Sequence, residues 1–446
     1  MTVDNAEGRV IEDVRTAARD LPPGSRLPSV RALMARHRAS PVTVQRALAQ
    51  LAAEGLVVAH PGRGTFVAGA LAAPARTAEP DLAWQELALA GRPTAPAAAP
   101  AGPAVGPELQ PHAALGAALA RATRRPEAWE PLGAGGLAGL GAWFARAAGV
   151  EDEPGDVAIA AGRQAAIAAA LRALAAPGDP VLVESPTAAG ALAAVRGAGA
   201  RPVPVPADGD GVRPELLAAA FALTGARVFC CQPLFAEPTG ATLAAGRRGA
   251  VLEAVAAAGA FLVEDDAARD LALDGPTPPS LAAEDPGGHV VAVRSLARGP
   301  RVAAVTARGA AAARLRRLLA ADGVLAPEPL QHAALELLGA AGWRRQLREV
   351  RSALRERRDT LLDALAGELP QARVPAVPAG GAQLWVRLPD GTDDVALSAA
   401  AGPLVAAGGG WFAAEPPAPF LRIAYGAGTP SELVGAVRRL AGAWPA

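Results

Sequence analysis

Apolar residues near the start of the chain recur at helix-face spacing, at Val10, Val14 and Ala17 or Ala18, which predicts a first helix. Leu21-Pro22-Pro23-Gly24 stops it. A second helix opens after Leu27-Pro28-Ser29, with Ser29 as N-cap and Val30, Leu33 and Met34 as its buried stripe. His37-Arg38-Ala39 makes a short turn. Ser40 caps a third helix whose first position is Pro41, where a missing N–H costs little. Val44, Leu48 and Leu51 share one face of it, and Thr43, Gln45 and Arg46 lie elsewhere. Gly55 ends this helix, and Leu56–His60 and Thr65–Val67 read as two short strands around Pro61-Gly62-Arg63-Gly64. Helix, helix, turn, helix, hairpin is a winged helix-turn-helix.

The pattern then changes. Residues 70–105 are rich in Ala and Pro and read as an extended linker, with one short amphipathic helix expected over Asp81–Ala90. From residue 106 helical and strand patterns alternate, with strands expected at 181–184, 200–205, 228–232, 261–264, 290–293 and 302–306. That alternation predicts a three-layer α/β domain on a mostly parallel sheet. A long charged helix from Gly342 to about Leu365 leads into a smaller α+β unit with strands at 382–388 and 420–424. The expected domains are therefore 1–69, linker 70–105, large domain 106–345 and small C-terminal subdomain 346–446.

Composition sharpens this picture in three places. The net charge is zero, yet residues 1–70 carry nine Arg against six Asp and Glu, so a mildly basic end module sits on a mildly acidic body, as suits a DNA-binding head. The two cysteines, Cys230 and Cys231, are neighbours in an apolar run and read as reduced core residues. No segment looks like a signal peptide or a membrane span, no metal site is evident, and a cytoplasmic protein is expected. Finally, all 43 basic residues are Arg and none is Lys.

The stretch Leu21–Gly69, LPPGSRLPSVRALMARHRASPVTVQRALAQLAAEGLVVAHPGRGTFVAG, resembles the GntR superfamily of bacterial regulators. The resemblance implies that Arg31 meets the DNA backbone and that the start of the third helix enters the major groove. There Ser40 and Thr43 offer hydroxyls and Gln45 and Arg46 reach base edges. Arg63, held close by Gly64, lies along the minor groove. The family often has a basic residue where Pro41 stands, so one contact is expected to be missing.

In the body, Glu184-Ser185-Pro186-Thr187, Glu237-Pro238-Thr239-Gly240, Glu264-Asp265-Asp266 and Leu421-Arg422-Ile423-Ala424-Tyr425 resemble the aspartate-aminotransferase fold, fold type I of the pyridoxal phosphate enzymes. A GntR-type head on such a body resembles the MocR subfamily of transcription regulators. The resemblance puts Asp265 at the pyridine nitrogen, Gly162-Arg163-Gln164 at the phosphate cup, and Arg422 on a substrate carboxylate. It also shows departures. Glu237 stands where the family has Asn, while Ala188 and Ala267 replace ring-contacting residues. In Arg294-Ser295-Leu296-Ala297-Arg298-Gly299-Pro300-Arg301, Ser295 is in place, Arg298 falls on the Schiff-base lysine, and Arg301 arrives early as the phosphate arginine. An arginine stays protonated and cannot form the Schiff base.

These features imply a sequence-specific DNA-binding regulator that is not an enzyme. No covalent pyridoxal phosphate is expected, although the family leads one to expect that cofactor. The expected partners are an operator duplex, a second copy in a head-to-tail homodimer and a small anionic effector, with no membrane. The competing readings are a pyridoxal phosphate aminotransferase with a DNA-binding head, and a body that serves only as a dimerisation platform. For the cleft two states are expected to be distinguishable. Either Gly162, Arg163, Arg298 and Arg301 keep an anion pocket, the favoured outcome, or Asp265 and Glu237 close it through internal ion pairs.

Overall fold

A computed structural model describes residues 6–60, 64–68, 105–133, 135–150, 157–296, 300–322 and 325–444. The Asp81–Ala90 helix, most of the linker, Arg63 and Arg298 lie outside the described residues. The head contains α1 (Ala6–Asp20), α2 (Val30–His37), α3 (Pro41–Ala53), β1 (Val57–His60) and β2 (Gly64–Val67). Val10, Val14, Leu33, Val44, Ala47 and Leu51 are fully buried and form its core. Both expected caps are made: Ser29 Oγ accepts the Ala32 N–H at 3.2 Å, and Ser40 Oγ accepts that of Thr43 at 3.1 Å. The wing strands pair antiparallel from Val57↔Val67 to His60↔Gly64.

The body is built on β3 (Val157–Ala160), β4 (Pro180–Ser185), β5 (Arg201–Asp208), β6 (Gly211–Val212), β7 (Val228–Cys231), β8 (Phe261–Asp265), β9 (Val290–Ser295) and β10 (Ala303–Thr306). Their order across the sheet is β3-β10-β9-β8-β7-β4-β5-β6. The central pairings are parallel, whereas β10 runs antiparallel to both its neighbours and β6 antiparallel to β5. Alternate residues of one strand feed different apolar clusters. Leu182, Phe229 and Leu262 join one, and Val181, Val183, Val228 and Val263 join the other. Helices cover both faces for that reason, since a strand buried on both sides must be apolar at every position. Cys230 and Cys231 fall in opposite clusters, both buried and both free thiols.

Helix Ala341–Glu368 carries the chain into the small subdomain. There β11 (Leu384–Arg387), β12 (Val405–Ala407) and β13 (Phe420–Ile423) form an antiparallel sheet in the order β11-β13-β12. Leu354, Leu361, Ile423 and Leu433 are buried between that sheet and the flanking helices. Among the described residues no helix is long and apolar enough to cross a membrane, and no group of side chains could hold a metal ion.

Candidate functional site

Two surfaces carry the residues singled out from the sequence. The first is the head. Ser40 and Arg46 are exposed, and Arg31, Thr43 and Gln45 are half-buried. Ser40 and Thr43 spend their hydroxyls partly on each other, 2.8 Å apart, which fixes the first turn of α3. Arg46 is paired within the head, its Nη2 lying 3.0 Å from Glu7 Oε2. Gly64 sits at the start of β2 with φ +110°, a conformation that disfavours any side chain, and the Arg26 side chain lies against it.

The second surface is the crevice beyond the carboxyl ends of the central strands, where open α/β sheets bind ligands. Asp265 ends β8 and Ser295 ends β9. Glu237 lies in the loop after β7, and Arg163 begins helix Arg163–Leu174 directly after β3. Its N-cap, Gly162, has φ +100° and no side-chain cap, and an ideal Cβ there would lie 3.6 Å from Arg301 Cβ. The small subdomain contributes Arg422 from β13.

These residues form one chain of ion pairs. Arg163 Nε donates to Asp265 Oδ1 at 3.0 Å and to Oδ2 at 2.8 Å, and its Nη2 also donates to Oδ2. Arg163 Nη1 lies 3.8 Å from Glu237 Oε2, and Arg422 Nη2 is 2.9 Å from Glu237 Oε1. Asp265 accepts one further bond, from the Ala267 N–H at 3.3 Å. Burial opposes the charge on Arg163, but Asp265 and Glu237 more than restore it, so its pKa is held above the ordinary value. Arg422 is fully buried, with its guanidinium 5.6 Å from the Trp411 ring centroid.

A second layer holds this chain in place. Gln232 Oε1 accepts the Glu237 N–H at 3.0 Å, and Gln232 Nε2 donates to the Phe235 carbonyl at 3.2 Å. The Gln232 N–H in turn donates to Glu184 Oε2 at 2.8 Å. Burial pushes the Glu184 carboxyl up to about 8, against that bond and with the help of the Asp265 charge. Across the crevice the Thr187 N–H donates to the Trp411 carbonyl at 2.9 Å, which ties the two subdomains together.

The sequence brought Asp265, Glu237, Arg163 and Arg422 to one cleft, and the structure does the same. Their pairing differs from the expected one. Arg163 was expected in the phosphate cup, and Asp265 and Glu237 were given no particular arginine as partner. Instead the Arg163 side chain crosses to Asp265, because as the first residue of its helix it stands at the floor of the cleft. Arg301 is exposed and Ser295 buried. Gln232 and Trp411 carry no motif, and sequence reasoning missed both.

The chain matches two families. Residues 3–67 match the bacterial regulatory proteins of the gntR family, and residues 138–440 match aminotransferase class I and II. It is 32% identical over 263 residues to 2-aminoadipate transaminase of Thermus thermophilus, a match covering 57% of this chain and 66% of that one. It is 30% identical over 303 residues to the HTH-type transcriptional regulator TauR of Rhodobacter capsulatus, covering 66% of this chain and 61% of the other. Each match spans less than two thirds of the relative. The regulator YdfD of Bacillus subtilis matches at 23% over 82% of this chain and 80% of its own length. Among solved structures, the Thermus thermophilus α-aminoadipate aminotransferase LysN, crystallised with N-(5'-phosphopyridoxyl)-L-leucine, superposes with a TM-score of 0.72. That superposition is at 30% identity, over 81% of this chain and 94% of the other. The body therefore belongs to the class I and II aminotransferase family, and with the GntR-type helix-turn-helix ahead of it the chain has the architecture of the MocR subfamily.

Proposed function

We propose that the chain is a sequence-specific transcriptional regulator whose aminotransferase-like body carries out no transamination. The observation that supports this most is the ion-pair chain Asp265–Arg163–Glu237–Arg422. The class of fold carries pyridoxal phosphate by homology, and that cofactor would need Asp265 free for its ring nitrogen. Here both Asp265 oxygens are taken by Arg163, and the carboxylate clamp, Arg422, is taken by Glu237. The chain also has no lysine to hold the aldehyde. The residues present do not fit the cofactor.

On this reading the body serves dimerisation and sensing. The assembly is a head-to-tail homodimer that presents two heads to two half-sites. An effector that enters the cleft is an anion able to take Arg422 from Glu237, and its differential affinity for the open state drives the change. The likeness to 2-aminoadipate transaminase favours a second reading, an aminotransferase with a DNA-binding head.

One preparation tests both. The purified full-length protein is incubated with pyridoxal phosphate, 2-aminoadipate and a 2-oxo acid, then reduced with borohydride. The expected result is no turnover above background and no cofactor-linked peptide. Turnover would establish the second reading. In parallel, selection from a random duplex pool should enrich a sequence with paired half-sites, and a pool that stays random would overturn the regulator reading.

A further inference from the structure

The cleft uses the carboxyl ends of the central strands. Their amino ends, on the opposite edge of the large-domain sheet, carry a row of arginines. Arg201 opens β5, and Arg227 stands directly before β7. Arg308 follows β10, which runs antiparallel to β9 and so finishes on this same edge. Arg314, on helix Gly309–Asp322, lies over the ring of Phe261, the first residue of β8, 5.7 Å from its centroid. The strands stand in the order β10, β9, β8, β7, β4, β5. With neighbours about 4.8 Å apart, the row from Arg308 to Arg201 spans roughly 24 Å.

The partners of these four set them apart. Arginines elsewhere in the body, such as Arg163, Arg247, Arg248 and Arg358, meet carboxylates. Among the described residues none of the four does. Arg227 Nη1 donates to the Ala258 carbonyl, Arg308 Nη1 donates to the Asp285 carbonyl at 3.4 Å, and Arg314 rests on a ring. A carbonyl or a ring face orients a guanidinium without cancelling its charge. The carboxylates of this edge are engaged by backbone instead. Asp179 Oδ2 accepts the Ala176 N–H at 2.8 Å, and the two oxygens of Asp285 accept the Gly287 and Val290 N–H groups at 3.1 and 2.7 Å. Arg201, Arg227 and Arg314 are exposed, and Arg308 is half-buried. Uncompensated positive charge therefore lines one edge of a body that is mildly acidic as a whole.

A compact anion would need donors that converge on one point. These guanidiniums are spread along a line, which suits a polyanion of repeated charge. Duplex DNA carries one negative charge per about 1.7 Å of its axis. A duplex held by the head is also present at high effective concentration for any second surface of the same assembly. We propose that the amino edge of the large-domain sheet is a second, sequence-independent DNA contact, which takes the phosphate backbone of the duplex that the head reads. The proposal rests on the DNA-binding reading of the head.

The test uses the full chain. Arg201→Glu with Arg227→Glu reverses two charges of the row, and Arg201→Gln with Arg227→Gln removes them. Arg387→Glu with Arg438→Glu makes the reversal on exposed side chains of the small subdomain and is the control. Anisotropy titrations over a range of salt use mixed-sequence duplexes of about two and about six helical turns. On the long duplex the reversal should bind about tenfold more weakly than wild type, and the salt slope should fall by about two units, one for each lost phosphate contact. The neutral pair should lose less affinity with the same fall in slope. On the short duplex, which the heads cover, wild type and every variant should bind alike. An equal loss in the control, or none in the reversal, would overturn the proposal and leave DNA binding by the head intact. No binding of either duplex by wild type would sink the DNA-binding reading and the proposal with it. Polyglutamate that binds wild type but not the reversal, with duplex binding unchanged, would assign the row to an acidic protein instead.

Discussion

The head and the cleft both pair arginine with carboxylate, and the two sets of pairs differ in what surrounds them. Arg46 meets Glu7 at 3.0 Å with its side chain 45% exposed. Arg422 meets Glu237 at nearly the same distance, 2.9 Å, with its side chain wholly buried. An exposed pair is worth about 0–1 kcal/mol, since water and salt compete with it. A DNA base edge can therefore take Arg46 from Glu7 at little cost. Removing one member of a buried pair strands a charge in a poor solvent and costs about 3–5 kcal/mol. The same chemistry thus gives an exchangeable contact in the head and a fixed one in the cleft. A ligand that opens the cleft must replace what Glu237 gives Arg422, so only an anion with good geometry can succeed.

The sharpest way to break this comparison is to strand the buried charges. Arg163→Ala removes the guanidinium from Asp265, and Arg422→Ala removes the nearer guanidinium from Glu237. Each should lower stability by about 3–5 kcal/mol, read from urea denaturation of the full chain. Replacing both charges of a pair together, as in Glu237→Gln with Arg422→Met, should cost much less than either single change predicts. Losses that simply add would mean that Glu237 and Arg422 do not stabilise each other.

Next in size is the effect of pH through Glu184. Its carboxyl is raised to about 8 in the folded protein, above its value in an unfolded chain. The folded state therefore holds a proton that the unfolded state has lost. Stability is greatest below the unfolded pKa and falls as pH rises toward about 8. One such proton gives a slope of up to about 1.4 kcal/mol per pH unit. Glu264, raised to about 7 by burial and by Asp266, adds a second contribution of the same sign. Glu184→Gln keeps an oxygen for the Gln232 N–H and removes the titration. Its stability should fall less steeply between pH 5 and 8 than that of wild type, in denaturation series at each pH. Parallel curves for the two proteins would show that Glu184 does not titrate in that window.

The fold was largely legible because burial writes itself as pattern. The strand runs around 181–184, 228–232 and 261–264 are apolar at both parities, as strands covered on both faces must be. Strand β3 was not foreseen, since Val157–Ala160 merges with the alanines of the helix that follows and shows no period of its own. Strands β6 and β12 escaped for a similar reason, being two and three residues long. The cleft residues could be named through the resemblance, but their pairing could not. Residues 163, 237, 265 and 422 arrive from four separate segments, and nothing local says which guanidinium reaches which carboxylate. Gln232 and Trp411 were invisible for the same reason: their roles exist only once β7 and β13 face one crevice.

A smaller effect separates the DNA contacts of the head. Arg31, partly buried at the start of α2, suits a backbone contact, and Gln45 on α3 suits a base edge. Arg31→Ala should weaken binding to every sequence alike and reduce the salt slope by about one unit. Gln45→Ala should shift preference among sequences instead. Equal losses on selected and random duplexes for both variants would end that division of roles.

The smallest expected change concerns Glu7, and it tests the exposed half of the comparison directly. Glu7→Gln removes the carboxylate that pairs with Arg46 and leaves a neutral side chain of the same shape. If exposed pairs are as weak as argued, stability should change by less than about 1 kcal/mol. DNA binding should tighten modestly, because Arg46 no longer has to leave a partner and one negative charge is gone from the DNA-facing side. The gain should shrink as salt is raised, since screening weakens the lost repulsion and the lost pair together. Anisotropy titrations at low and high salt, beside thermal denaturation of the same samples, check both parts. A stability loss as large as that of Arg422→Ala would show that Glu7–Arg46 belongs with the buried pairs, and the contrast between head and cleft would not hold.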